Sequence, residues 1–284
     1  MSKKLKKICL LVLTLFLMVG GGITVANALG NYNLYKIANK SYEDLGNLET
    51  VDLDNDECPS SDASAIDLNS SVVASVPNPV EQMQAEQADL VSKGVSNPNY
   101  ATQYDKMKLI NQDYVAWIKI PGTVIDYPIC YDGNNEYYLH HDFYGNDNIN
   151  GCLFVDRRNN CPFYDKSTIV YGHHMRNGTM FGGLSKMLDE NYLNNHSVIK
   201  IALRDRVMTY DVFSVFSEEL CEQSYITEFA TLGSFVEHCN YLKGKSMVNT
   251  NVGDFKISDR ILVLSTCSYE TDHSRLLVCA KLRR

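Results

Sequence analysis

From Asp113 onward the sequence breaks into short segments rich in β-branched and aromatic residues: YVAWIKI, TVIDYPIC, EYYLHHDF, GCLFVD, STIVYGHH, SVIKIAL, RVMTYDVFSVF, RILVLS and RLLVCAKL. Gly, Asn, Asp and Pro separate most of them, so each segment reads as a strand and each break as a turn. Eight or nine such strands in succession predict a mostly β fold, a barrel or sandwich closed on itself. Two stretches have helical character instead, MFGGLSKML (Met180–Leu188) and EFATLGSFVEHCNYL (Glu228–Leu242). In the second, Phe229, Leu232, Phe235, Val236 and Cys239 recur at spacings of three and four. That spacing gives one apolar face, suited to covering the barrel. A helix from Tyr100 to about Asn111 leads into this body, and another candidate runs from Val80 to Ser92 before Gly94 and Pro98 stop it.

The chain ahead of this body has a different texture. Lys3, Lys4, Lys6 and Lys7 precede an uncharged, mostly apolar run of 22 residues, Ile8 to Leu29. Its length suits a bilayer-crossing helix with the lysines left on the cytoplasmic side. Two readings stay open: a retained anchor, which the length favours, and a signal peptide cleaved at Ala26-Asn27-Ala28. Both export the body. Residues 30–92 are rich in Ser, Asn and acid, as in a solvated spacer. The organisation expected is therefore a stub and anchor over 1–29, a linker over 30–92, and a folded domain over 93–284.

Charge follows the same partition. Of the formal −8, the stretch Ser41–Ser92 supplies 12 Asp and Glu against no Lys or Arg, and residues 93–284 carry only −2. A near-neutral body without a basic face excludes nucleic acid as a partner. Nine cysteines, at 9, 58, 130, 152, 161, 221, 239, 267 and 279, show neither a CxxC pair nor regular spacing. A domain of this size builds a core without disulfide staples, so most should be small buried apolar residues. One is placed for chemistry.

That one is Cys267. LVLSTCSYETDHSR runs an apolar strand into a thiol, and Arg275 opens the next apolar strand eight residues later. Paired as an antiparallel hairpin with a longish loop, the two strands set Cys267 and Arg275 at one rim, with Arg275, Leu277 and Cys279 on one face. A guanidinium there favours the thiolate and can donate two hydrogen bonds to a substrate oxygen, but it cannot act as a base. The proton partner is sought at the end of STIVYGHHM, where Tyr171 and His173 share a face and His174 points away. Gly172 between them would admit another backbone or a ligand. Singly, such a Cys, His or Arg is more often structural. Their joint arrangement is what suggests an enzyme.

DYVAWIKIPGTVIDYPI, YYLHHDFYG, STIVYGHHMRNGTMF and the closing LSTC…R together resemble the sortase family, specifically class B, over roughly Asn111–Arg284. The layout of anchor, spacer and C-terminal barrel is similar too, as is a helix between the sixth and seventh strands. The resemblance implies a closed eight-stranded barrel and a cofactor-free, metal-free cysteine transpeptidase. It implies partners of two kinds: exported proteins carrying an NPxT-like C-terminal sorting signal, cleaved after Thr, and an amine acceptor on peptidoglycan or a pilin. It further implies a single-pass membrane location at a Gram-positive-type cell surface. Carried over by residue, Cys267 would be the nucleophile, His173 the general acid and base, and Arg275 the stabiliser of the substrate oxygen. Tyr171, Ser265, Asn135, Leu139, Tyr225 and Ile226 would line the peptide groove. Val263 departs from the Thr often found before Leu-x-Thr-Cys, which touches packing more than chemistry.

Three rivals remain. An exported cysteine peptidase would only hydrolyse, yet papain-like enzymes place Cys before His and the caspase QACxG motif is absent. A tethered binding barrel would leave Cys267 and His173 inert. A zinc site on His173, His174 and Cys267 is disfavoured, since adjacent strand residues point apart and no CxxC or HxxxH supports it.

Overall fold

Closure satisfies every strand edge. In the computed structural model, which describes residues 35–43, 45, 98–267 and 274–283 (98–100 and 267 by their backbone), eight strands form one barrel in the order β1-β2-β3-β4-β7-β8-β6-β5. They are β1 (Tyr114–Lys119), β2 (Asp126–Cys130), β3 (Leu153–Val155), β4 (Ser167–His173), β5 (Val198–Ala202), β6 (Val207–Glu219), β7 (Ile261–Cys267) and β8 (Ser274–Leu282). β5 pairs back onto β1, so no edge is left to solvent. Two contacts are parallel, β2 with β3 and β4 with β7; the rest are antiparallel.

Among the described residues from 98 on, four α-helices accompany the strands: α1 (Pro98–Ile110), α2 (Tyr137–His140), α3 (Glu190–Asn195) and α4 (Leu232–Gly244). The helix expected from Tyr100 is α1, and it starts two residues earlier because proline is tolerated in a first helical turn. MFGGLSKML forms a 3-10 helix over Phe181–Leu188. α4 lies between β6 and β7, as expected, and packs Phe235, Cys239 and Leu242 onto Phe213, Phe216, Val263, Leu277 and Cys279 of the sheet.

Two expectations need correction. EYYLHHDF is not a strand. Asp132 accepts from the Asn134 amide and Asn134 from the Glu136 amide, which turns the chain into α2. The helix expected from Glu228 begins only at Leu232, because Thr231 and Ser234 form a reciprocal cap. Leu232 is consequently 53% exposed, and the buried face is Phe235, His238, Cys239 and Leu242.

Cys130, Cys152, Cys239 and Cys279 are buried free thiols, while Cys161 and Cys221 are half-buried ones. The anchor over 1–29, most of the linker and the Val80–Ser92 helix lie outside the described residues. Within the stretch read as linker, residues 35–43 are helical. Among the described residues no helix is long and apolar enough to cross a membrane.

Candidate active site

Strand register assembles the site. The parallel pairing of β4 with β7 sets Tyr171 beside Ser265 and His173 beside Cys267. The antiparallel pairing of β7 with β8 runs without a bulge from Ile261 opposite Lys281 to Ser265 opposite Leu277. Carried two residues further, that register sets Cys267 opposite Arg275. Neighbouring strands stand about 4.8 Å apart, so positions 173, 267 and 275 form one transverse row at the barrel rim. Alternation places His173 and Arg275 on the face that holds Ile169 and Leu277, the face α4 covers further down.

His173 is buried, and its Nε2 lies 2.6 Å from the carbonyl oxygen of Leu139. A carbonyl only accepts, so Nε2 carries a hydrogen. Leu139 is itself held in place. The Tyr138 carbonyl accepts from the Cys152 amide at 2.8 Å, and the Tyr138 hydroxyl donates to Asp113 at 2.8 Å. Asn111 donates to the Tyr138 hydroxyl at 2.9 Å and to the Phe143 carbonyl at 2.8 Å. The misread α2 segment is thus the element that fixes the imidazole. His174 is exposed and bridges by its backbone to Met180.

Gly172 is required for packing, not for admitting a backbone or ligand. A Cβ there would meet Leu153 Cδ2 at 2.3 Å and Phe181 Cδ2 at 2.7 Å. Two apolar side chains fill the space.

The groove residues separate into two groups. Tyr171, Tyr225 and Ser265 come together: the Tyr225 hydroxyl lies 3.0 Å from Ser265 Oγ, and the two tyrosine rings stack at 6.2 Å. Tyr225 and Ile226 also line a cleft of about 710 Å³ with Arg157, Arg158, Gln223 and Thr227. Leu139 and Asn135 enter through other contacts. Leu139 engages through its backbone, and Asn135 Oδ1 accepts from the Arg157 amide at 2.8 Å.

Sequence reasoning missed Asp156 and Arg158. The Tyr171 hydroxyl donates to Asp156 Oδ2 at 2.7 Å, and Arg158 donates to the same carboxylate through Nε at 2.9 Å and Nη2 at 2.6 Å. Burial alone would raise the Asp156 carboxyl; hydrogen bonds from Arg158 and Tyr171 outweigh it and hold the group below its usual range. Burial, with the Asp156 charge adding to it, pushes the Tyr171 hydroxyl up, so it stays a donor. The one available signal was GCLFVDRR, an acid followed by two arginines at a strand end.

A second cleft, of about 470 Å³, includes Asp211, Asp259, Lys281 and Arg283 near the far end of β8. Two of its cations are already engaged, Arg283 with Asp211 and Lys281 with Asp259. Among the described residues no cluster of three or more His, Cys, Asp or Glu could hold a metal ion.

Known proteins are similar to this chain in sequence and fold. The sortase-domain family model matches residues 118–283. Sortase B of Listeria monocytogenes is 37% identical over 181 residues, 62% of this chain and 72% of the relative. Sortase B of Staphylococcus aureus is 30% identical over 204 residues, 71% of this chain and 82% of the relative. A solved Staphylococcus aureus sortase B–substrate complex superposes with a TM-score of 0.62 at 30% identity, covering 72% of this chain and 94% of that one.

Proposed function

From the premise that this chain belongs to the sortase family as a class B transpeptidase, we propose that Cys267 is its nucleophile, His173 its general acid and base, and Arg275 the stabiliser of the substrate oxygen. The transverse row of positions 173, 267 and 275 carries this reading. A neighbouring guanidinium lowers the cost of the thiolate. Cys267 gives its thiol proton to His173 Nδ1, and the thiolate attacks the threonyl carbonyl of a sorting signal, forming a C–S bond and a tetrahedral oxyanion that Arg275 stabilises. Collapse breaks the peptide C–N bond, and His173 protonates the leaving amine. Since Nε2–H is committed to Leu139, the proton travels through Nδ1. An acceptor amine on peptidoglycan or a pilin then attacks the thioester, gives its proton to the same nitrogen and forms the new C–N bond as the C–S bond breaks and Cys267 leaves as the thiolate.

Tyr171, Tyr225 and Ser265 form the groove wall that meets the peptide, with Ile226, Leu139 and Asn135 flanking it. The N-terminal run holds the domain at the outer membrane surface, and the acidic stretch gives it reach. The experiment is product analysis with a library of NPxT-like peptides in the presence of hydroxylamine, a strong nucleophile toward thioesters. Release of the hydroxamate after Thr supports transfer. Free acid as the sole product, undiminished by the amine, would favour the peptidase reading.

A further inference from the structure

The row at the rim does not stop at Arg275. The next strand is β6, and its register sets Glu218 directly opposite Arg275 and Phe216 opposite Leu277. Four neighbouring strands therefore carry positions 173, 267, 275 and 218 in one row.

Glu218 has two further features. Its side chain is only 10% exposed, and Oε2 lies 2.5 Å from Lys245 Nζ, whereas the buried Oε1 has no hydrogen-bond partner. Lys245 ends α4, where its ammonium also sits 5.3 Å from the Tyr241 ring centre. The carboxylate is clamped by one oxygen to the covering helix while the other remains available. A buried acceptor left without a donor is unfavourable, and native proteins keep few of them outside functional sites.

Directly opposed residues of an antiparallel pair have their Cβ atoms about 4.5–5.5 Å apart, well within the reach of Glu and Arg. A guanidinium carries its five N–H donors in one plane, so an edge laid on a carboxylate aims the other edge. We propose that Glu218 is a positioning residue for Arg275 in the substrate complex, where its Oε1, unpaired in this structure, takes one edge of the guanidinium while the opposite edge meets the substrate oxygen. Lys245 keeps the carboxylate from swinging into solvent. This assignment rests on the role given to Arg275 above.

The test is a double-mutant cycle in the full chain, measuring kcat and KM for transfer from a sorting peptide to hydroxylamine, with Tm recorded for each variant. Glu218→Gln is expected to lower kcat about ten-fold with KM within about two-fold, the pattern of an interaction made in the transition state. Arg275→Ala should lower kcat further, and adding Glu218→Gln to it should change nothing more. Full multiplicative loss in the double variant, or an unchanged kcat in Glu218→Gln alone, would overturn the proposal. An Arg275→Ala variant with normal kcat would instead overturn the role of Arg275 itself, and the proposal with it. Should Glu218→Gln fail to fold, Lys245→Met reads the same coupling from the half-exposed end of the clamp, again with no added loss expected in the Arg275→Ala background.

Discussion

On α4, His238 is buried beside the rings of Phe229 and Tyr241, with neither ring nitrogen hydrogen-bonded. Burial pushes its pKa down to about 4, from 6.5. Between those values the unfolded chain binds a proton that the folded chain refuses. This group's contribution is therefore complete above about pH 6.5 and is lost as pH falls toward 4, by up to about 3 kcal/mol. Denaturant unfolding at pH 7 and pH 4.5 should show a smaller pH-dependent loss in His238→Phe than in the native chain; equal losses would contradict it. Asp156 makes a second prediction. Asp156→Asn leaves Tyr171 less firmly held, so KM for the peptide should rise several-fold with little change in kcat, an effect on the order of 1 kcal/mol. Steady-state kinetics checks it. Cys267 and Arg275 could be singled out from sequence because each lies at the end of a strand, where alternation fixes the face. Asp156 could not: nothing local shows that its carboxylate reaches the Tyr171 hydroxyl from across the β3–β4 turn.

Among the elements, α4 separates pattern from packing. Phe235 and Leu232 are equally apolar and three apart, yet Phe235 is fully buried and Leu232 is 53% exposed. Phe235→Ala should cost about 3–5 kcal/mol, and Leu232→Ser within about 0.5 kcal/mol; thermal unfolding of both variants tests the contrast. Spacing alone put both on one face because the Thr231 cap, which sets where the helix begins, competes with the apolar repeat. The α2 segment was misread for a related reason. YYLH has strand-like composition, but its conformation follows from Asx turns before it and from the hydrogen bonds of Tyr138 to Asn111 and Cys152. On β4, Gly172→Ala should cost about 1–3 kcal/mol through overpacking on Leu153 and Phe181. It should lower activity as well, since the strand carries His173 at its next position; melting and turnover measured together would show both losses.

For the whole molecule, strand number and closure were legible, because apolar segments and turn residues are local signals. Strand order was not. The parallel contact of β4 with β7 spans β5, β6 and α4, and only the folded barrel reveals that Tyr171 meets Ser265 and His173 meets Cys267. That non-local register brings positions 173 and 267 together from distant parts of the chain, and the β7–β8 register, carried two residues on, adds position 275. The most direct measurement is mass mapping of the chain quenched in acid during reaction with a sorting peptide. The account predicts an acyl mass on the peptide containing Cys267, lost when an amine is added before the quench. An acyl group mapped to another residue, or turnover that persists in Cys267→Ala, would contradict it.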